Sequence, residues 1–351
     1  METSWTMTVG RDDFSRVTLA DTPPPQLAEG EALLRVDRVG VTANNITYAV
    51  LGESFRYWKF FPAADRSQGV PPVWGFADVE ASTVAGVEPG QRLYGYYPAA
   101  SHLVVRPERV DAQGFRDASP HRAELPSPYN AYRLTTGDLA YAAEQEDLLI
   151  LFRPLFFTSF LLADQVADNA CYGADAVVLS SASSKTAYAA AFELRGRGPR
   201  LIGLTSPGNV AFTRSLGCYD EVLPYDGIAE LGREKTVYLD LSGAPTTRAA
   251  LRGHLGDHLV RDIAVGLTGQ VPNAGAAGEV FFAPVHMRKR SQDWGREGLD
   301  ERFAAAWQGF AAVVGTWLEV RTGAGPEDLC RAWLEVLDGR TPPQAGHVVQ
   351  L

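Results

Sequence analysis

The sequence predicts an α/β protein in which a doubly wound parallel sheet is joined to a second, β-rich domain. Two observations predict it. Between about residues 176 and 267, short and almost wholly apolar runs alternate with helical segments. That is the pattern of parallel strands buried on both faces and joined by crossover helices. Before residue 125, branched-aliphatic runs are separated by Gly and Pro clusters, the pattern of irregular β structure. A length of 351 residues suits two domains. The expected organisation is a β-rich domain over 1–125, completed by about 275–351, and a dinucleotide-binding type of domain over 140–270.

In the first part, Ala32–Val41 (ALLRVDRVGV) reads as a strand, as do 92–97 and 102–105. Turns are marked at 23–25, 69–72 and Glu88-Pro89-Gly90. The polar, Pro-containing stretch 111–128 reads as loop. In the second part, 158–169 reads as a helix and 176–180 (AVVLS) as a strand. A helix over 185–195, a strand over 201–205 and a short helix over 209–217 follow. Further strands are expected at 221–223, 236–241 and 259–267. Beyond Gly269 the alternation stops. A strand fits 279–285, and 299–320 reads as one long helix, with Phe303, Trp307, Phe310, Val314 and Trp317 on one face. A helix over 326–337 and a strand over 347–351 close the chain.

Composition excludes several classes. Asp plus Glu is 42 against 32 Lys plus Arg, a net charge of -10, which argues against sequence-independent nucleic-acid binding. Cys171, Cys218 and Cys330 lie far apart and supply neither a disulfide framework nor a CxxC metal motif. The N-terminus lacks the apolar core of a secretion signal. Arg153 and Pro154 interrupt the most apolar stretch, so no run reaches the roughly 20 residues of a membrane span. A cytoplasmic protein is expected, with a small molecule as its partner.

The most informative segment runs from Ala176 to Tyr225. A strand leads into the small-residue loop Ser180-Ser181-Ala182-Ser183-Ser184, and a helix follows at once. This is the layout of a dinucleotide-binding βαβ unit, in which a tight turn brings a pyrophosphate to the amides of a helix N-terminus. Ser183, Ser184 and Thr186 stand where glycines are usual, and they add hydroxyl donors. Ser181 shares the loop, and Lys185 adds a positive charge. The alternative is a Ser-rich helix cap without a ligand. The end of the second strand bears on cofactor choice. It carries Thr205-Ser206-Pro207-Gly208-Asn209, with no carboxylate to hold a ribose 2′-hydroxyl or repel a 2′-phosphate. Ser206 and Asn209 can donate to such a phosphate, and Arg214 lies about a turn further on. NADP(H) is therefore favoured over NAD(H).

These residues bring a family into view. The segment 175–225, with Leu204 to Asn209, Ser215-Leu216-Gly217 and Asp220-Glu221-Val222, resembles the cofactor domain of the medium-chain dehydrogenases/reductases, especially the zinc-free quinone oxidoreductases and enoyl reductases. Leu239-Asp240-Leu241-Ser242-Gly243 resembles their "D-x-x-G" region. Gly40 to Asn44 resembles their "G-x-N" strand, and Glu88 to Gly95 their "PGDRVYG" turn. Within the superfamily the segments ANNITY, YGYYPAASHLVV and SSASSKTA are most similar to the DUF2855 group. The resemblance covers most of the chain and implies a Rossmann sheet with a GroES-like substrate domain. It also implies an NADPH-dependent reductase acting on an activated C=C bond or a quinone, and a possible homodimer. Thr158 resembles the start of a helix bordering the cofactor. Thr268 resembles a strand end beside the nicotinamide. Asn44, Asn45 and Tyr48 fall where those reductases carry substrate-side residues. Trp74-Gly75-Phe76-Ala77 stands where the zinc enzymes have Gly-His-Glu, so a metal-free enzyme is expected.

Each candidate has a plainer alternative. Asn44 and Asn45 suit turn chemistry, and Tyr48 suits a packed aromatic position. The aromatic run containing Tyr57 and Trp58 fits a pocket wall or a core. Tyr129 and Asn130 fit a substrate pocket or an anchored loop. His254 and His258 are spaced as metal ligands on a helix, but Gly253 and Gly256 favour a surface loop. Arg288-Lys289-Arg290 fits a solvated charge run better than a phosphate site. Two further function classes remain open: a non-redox enzyme that retains the nucleotide fold, and a non-catalytic NADP(H) sensor.

Overall fold

The short apolar runs of the middle region form strands because they are buried on both faces, where alternation is not required. In the computed structural model, which describes residues 4–265 and 279–351, they build a six-stranded, all-parallel sheet. Its strands are β1 (Ala176–Leu179), β2 (Arg200–Thr205), β3 (Glu221–Pro224), β4 (Thr236–Asp240), β5 (Leu259–Val265) and β6 (Glu279–Phe281). They lie in the order β3-β2-β1-β4-β5-β6. This is the Rossmann order, whose switch point falls between β1 and β4.

The helices are α1 (Ala43–Val50), α2 (Glu146–Asp168), α3 (Lys185–Leu194), α4 (Val210–Ser215), α5 (Pro245–Leu255), α6 (Ala283–Val314) and α7 (Gly325–Leu337). The chain divides into two compact units, Met1–Leu151 with Trp317–Leu351, and Phe152–Thr316. The C-terminal completion of the first unit thus begins at Trp317, not near 275. The cause is α6: Phe303 meets Phe157, and Trp307 and Phe310 meet Phe156, with ring centroids 4.6 to 5.5 Å apart. That buried face holds α6 in the second unit.

The first unit is β-rich. Its nine-stranded sheet runs Glu319–Ala324, Ala345–Gln350, Ala32–Val41, Pro72–Ser82, Arg92–Pro98, Ala131–Leu134, Gly114–Asp117, Pro107–Asp111, with His102–Val105 also on Ala32–Val41. A three-stranded sheet pairs Ser4–Gly10 with Val17–Thr22 and Gln68–Gly69. Val9, Leu34, Val36, Val39, Val79, Leu93 and Trp333 form the centre of the core. Each buried branched side chain contributes roughly 1.5–3 kcal/mol. Gly75 sits where a Cβ would lie 2.0 Å from the Arg38 carbonyl oxygen, so only glycine lets these strands approach at that point.

Several elements differ from expectation. The stretch 111–128 is not all loop, because Gly114–Asp117 finds strand partners on both sides. Helix α2 starts at Glu146 and continues through Pro154. Its length and composition would suffice to cross a membrane, contrary to the reading of an interrupted run, but two thirds of its apolar window is buried in the protein. Leu151, Phe152, Phe156, Leu161 and Val166 are almost fully covered. Burial of this face outweighs the hydrogen bond lost at Pro154. Helix α5 includes His254, whose Nε2 lies 2.8 Å from the Leu231 carbonyl oxygen, so that segment is helix and not loop. Helix α6 begins sixteen residues before the expected start, and 279–285 is strand only to Phe281. Within α6, Lys289 and Arg290 pair with Asp168 and Asp293, and Arg290 also pairs with Asp164.

Candidate functional site

In the second unit the switch point is assembled from three loop starts. Ser180 follows β1 directly and is fully buried. Its Oγ donates to Asp240 Oδ1 at 2.9 Å and accepts from the Leu241 and Ser242 amides, each at 3.0 Å. Asp240 Oδ1 also accepts from the Tyr238 hydroxyl, the Ser242 amide and hydroxyl, and the Gly243 amide. One carboxylate oxygen thereby ties the ends of β1 and β4 together. Asp240→Asn should lower the unfolding midpoint by the equivalent of about 1–3 kcal/mol, since an amide oxygen accepts these bonds more weakly than a carboxylate and its Nδ2 puts a donor where Oδ2 faces Arg248 Nε at 3.7 Å. Urea unfolding checks this, and an unchanged midpoint would contradict the role.

The loop itself is tight. Ser181 has φ +52°, a left-handed conformation usually given to glycine. Its amide donates to the Tyr225 hydroxyl at 2.9 Å. The Ala182 amide donates to the Leu204 carbonyl at 2.9 Å, which holds the loop against β2. A Cβ on Gly203 would fall 2.8 Å from the Ala182 methyl, so Gly203 permits this approach. Ser184 caps α3 by accepting from the Ala187 amide at 3.3 Å. Ser183 Oγ lies 3.2 Å from both Thr205 Oγ1 and Asn209 Nδ2. The structure therefore joins Ser183, Thr205 and Asn209 in one polar cluster, with Ser206 exposed beside it.

Other expected members are placed differently. The Lys185 ammonium lies 5.7 Å from the centre of the Phe152 ring, and burial lowers its pKa to about 8. Thr186 offers its carbonyl to Ser159 Oγ at 2.8 Å, and the neighbouring Thr158 hydroxyl donates within α2 to the Pro154 carbonyl. Arg214 is exposed and its Nη2 donates to the Val222 carbonyl at 3.1 Å. Thr268 lies outside the described residues. Among the described residues no three His, Cys, Asp or Glu side chains gather as a metal site.

In the first unit a second cluster forms around Tyr48. Thr42 and Asn45 make a capping box that starts α1 where the strand Ala32–Val41 ends. Asn45 is buried and its Nδ2 donates to the Pro72 carbonyl at 2.9 Å, so its amide is committed to the fold. One turn on, Tyr48 is 4% exposed. Its hydroxyl oxygen accepts from Asn44 Nδ2 at 2.7 Å and from Trp74 Nε1 at 3.0 Å. Burial drives the Tyr48 pKa well up, against the downward pull of those donors. The phenol is thus protonated at neutral pH, and any phenolate formed there meets two N–H donors.

Tyr57 and Tyr129 surround Tyr48, with their own hydroxyls 3.1 Å apart. Tyr96 completes the group, its ring 4.9 Å from those of both Trp74 and Tyr129. Trp58 is not in this group. It faces the opposite way, into the core beside Phe14, filling the space left by Gly52 and Gly69. Asn130 is fully buried and exchanges hydrogen bonds with Arg122, accepting from its Nε and donating to its carbonyl, both at 3.0 Å. Trp74 was noticed in the sequence only as a departure from a zinc motif. No local signal joins Trp74 to Tyr48 or Ser180 to Asp240, because these partners lie 26 and 60 positions apart.

The family model described as "Protein of unknown function (DUF2855)" matches residues 39–342. The chain belongs to the DUF2855 family. No curated protein sequence matches it. Three solved structures are similar to this DUF2855 protein over nearly its whole length. CurA from Vibrio vulnificus in complex with NADPH has a TM-score of 0.59 at 15% identity, covering 99% of this chain and 98% of that one. The quinone oxidoreductase from Coxiella burnetii has a TM-score of 0.55 at 14% identity, covering all of both chains. A putative NADPH:quinone reductase from Bacillus thuringiensis has a TM-score of 0.55 at 12% identity, also covering all of both. At these identities the likeness is one of fold, and the DUF2855 chain shares the two-part α/β fold expected from its sequence.

Proposed function

We propose that this chain is an NADPH-dependent reductase that passes hydride to an activated C=C bond or a quinone. The observation that carries the reading is the edge of β2 beside the switch point. There Ser183, Thr205 and Asn209 form a polar cluster next to exposed Ser206, and Thr205 to Asn209 includes no carboxylate. Ligands of doubly wound sheets bind at the carboxyl ends of the strands near the switch point. The neighbouring structures support the reading, one in complex with NADPH and another a putative NADPH:quinone reductase.

The residues fit such a cofactor. The ten-residue helix α3 starts directly after the loop, so its N-terminal amides and the Ser181, Ser183, Ser184 and Thr186 hydroxyls would receive the pyrophosphate. Lys185 would add positive charge at the pyrophosphate, and Ser206 and Asn209 would receive the 2′-phosphate, with Arg214 about a turn further on. When bound, the cofactor supplies the hydride. Tyr48 would supply the proton, Asn44 and Trp74 would hold its oxygen, and Tyr57 and Tyr129 would wall the acceptor.

The test is a calorimetric titration with NADPH and NADH, repeated on Ser206→Asp. Tighter NADPH binding by the natural chain is expected. The new carboxylate should weaken NADPH binding about ten- to thirty-fold. Two phosphate charges facing one carboxylate at ~4 Å in water cost about 2 kcal/mol. NADH binding should be unaffected or improved. Binding of neither nucleotide would remove the reductase reading. Binding without turnover over enones, quinones and enoyl thioesters would favour a sensor.

A further inference from the structure

We propose that the acceptor is an α,β-unsaturated carbonyl compound and that the Tyr96 hydroxyl binds its carbonyl oxygen as hydride arrives. The inference deepens the reductase reading and rests on it. Tyr96 lies on the strand Arg92–Pro98, opposite Trp74 of Pro72–Ser82, and is 0% exposed. The rings of Tyr48, Phe60, Phe61, Trp74 and Tyr129 pack around it at 4.9 to 5.8 Å between centroids. Its hydroxyl finds no hydrogen-bond partner among the described residues. Two neighbouring buried phenols are satisfied within the fold: Tyr97 and Tyr132 donate to the Leu93 and Tyr96 carbonyls, both at 2.9 Å. Tyr57 and Tyr129 share a hydrogen bond with each other and are half-buried, within reach of water. A buried donor left unpaired is costly, and it calls for a partner that the chain does not supply. Burial, and after it the nearby Tyr48 and Tyr129 phenols, holds the Tyr96 pKa well up, so the hydroxyl stays a donor. The surrounding rings are neutral and flat. The partner they suit is a flat, neutral group with an oxygen acceptor, which is a conjugated carbonyl. Trp74 touches the Tyr96 ring and holds the Tyr48 oxygen, so the hydrogen-bond donor and the proton donor stand side by side.

Atoms and electrons balance. Hydride from NADPH forms a C–H bond at the β-carbon and leaves NADP⁺. The electron pair of the C=C bond shifts toward the carbonyl, whose oxygen takes the charge of an enolate. Tyr96 donates a hydrogen bond to that oxygen and keeps its proton. Tyr48 then breaks its O–H bond and places the proton on the α-carbon, which restores the C=O bond. The Tyr48 phenolate recovers a proton from water once the product leaves, and buffer neutralises the hydroxide. Full charge on the oxygen exists only after hydride transfer begins, so the Tyr96 bond strengthens toward the transition state and acts on kcat more than on KM.

The experiment compares the natural chain with Tyr96→Phe, which removes one oxygen and keeps the ring. NADPH oxidation is followed with enones, quinones, enoyl thioesters and nitroalkenes. With the carbonyl acceptors, kcat should fall about 10²-fold in the variant, the usual loss of one donor to a developing oxyanion, while KM and the NADPH Kd change by less than roughly three-fold. The Tm should hold or rise, because an unpaired buried hydroxyl has gone. A second readout needs no turnover. 4-Nitrophenol, added with NADP⁺, presents an enolate-like oxygen. In protein labelled with carbon-13 at the tyrosine ζ carbon, the resonance that Tyr96→Phe removes should move when 4-nitrophenol binds, and the variant should bind this probe at least ten-fold more weakly. A kcat within three-fold of the natural chain would overturn the role of Tyr96 and leave the reductase reading in place. So would a 4-nitrophenol that fails to bind or leaves the Tyr96 resonance unmoved, or a Tm that falls together with kcat, the mark of a structural hydroxyl. Turnover confined to nitroalkenes would overturn the acceptor class. A natural chain that oxidises NADPH with no acceptor would overturn the reductase reading and this inference with it.

Discussion

Tyr48→Phe will lower turnover by roughly 10²- to 10⁴-fold, the usual contribution of a positioned general acid. Phenylalanine keeps the ring and its contacts with Tyr57, Tyr96 and Tyr129. The change removes one oxygen, and with it the acceptor for Asn44 Nδ2 and Trp74 Nε1. Both donors sit on half-buried residues and can turn to water, so the stability loss should be at the low end of about 1–3 kcal/mol. NADPH affinity should not change, because Tyr48 is not among the residues proposed to hold the cofactor's phosphates. The measurement is steady-state turnover beside a calorimetric Kd and a Tm. Turnover within three-fold of the natural chain would remove Tyr48 from the reaction.

The largest stability effect is expected at Arg122. Its side chain and that of Asp117 are both 0% exposed, joined at 2.9 Å. The guanidinium also donates to Asn130 Oδ1, the Tyr132 hydroxyl and the Tyr129 carbonyl, and lies against the rings of Phe60 and Phe61. Arg122→Met keeps much of the packing but strands Asp117 and frees the Tyr129 backbone. Breaking a buried pair from one side costs about 3–5 kcal/mol. Asp117 keeps three other donors, the Arg106 and Ser119 amides and the Ser119 hydroxyl. Adding Asp117→Asn to Arg122→Met should therefore recover part of the loss, the mark of direct coupling. Urea unfolding followed by tyrosine and tryptophan fluorescence checks both variants. A loss below about 1 kcal/mol for Arg122→Met would show that the pair is not load-sharing in this core.

Arg122 also shows how a site is lost to sequence reading. Asn130 and Tyr129 were candidates for a substrate pocket on the same footing. In the structure Asn130 is spent on Arg122, eight positions away, while the hydroxyl of Tyr129 joins the Tyr48 group. Tyr57 and Trp58 are adjacent yet serve different clusters, since a tight 3₁₀ turn sends neighbouring side chains to different sides. An aromatic run announces burial without saying which core receives each ring.

The sequence by itself determined the parallel-sheet unit and the small-residue loop that follows its first strand. A strand buried on both faces must be apolar throughout, as Ala176–Leu179 and Thr236–Asp240 nearly are, and a helix cap such as Ser184 acts on an amide three residues away. The missing carboxylate after β2 is likewise a local fact. Tertiary structure alone decided that α2 runs through Pro154 and that α6 packs on the second unit. It also decided that Trp74 reaches Tyr48 and that Asp240 gathers Ser180. These outcomes depend on apolar faces and strand neighbours tens of residues distant. Periodicity records how deeply a residue is buried, but hydrogen-bond partners follow from which strands lie side by side, and no local pattern encodes that order.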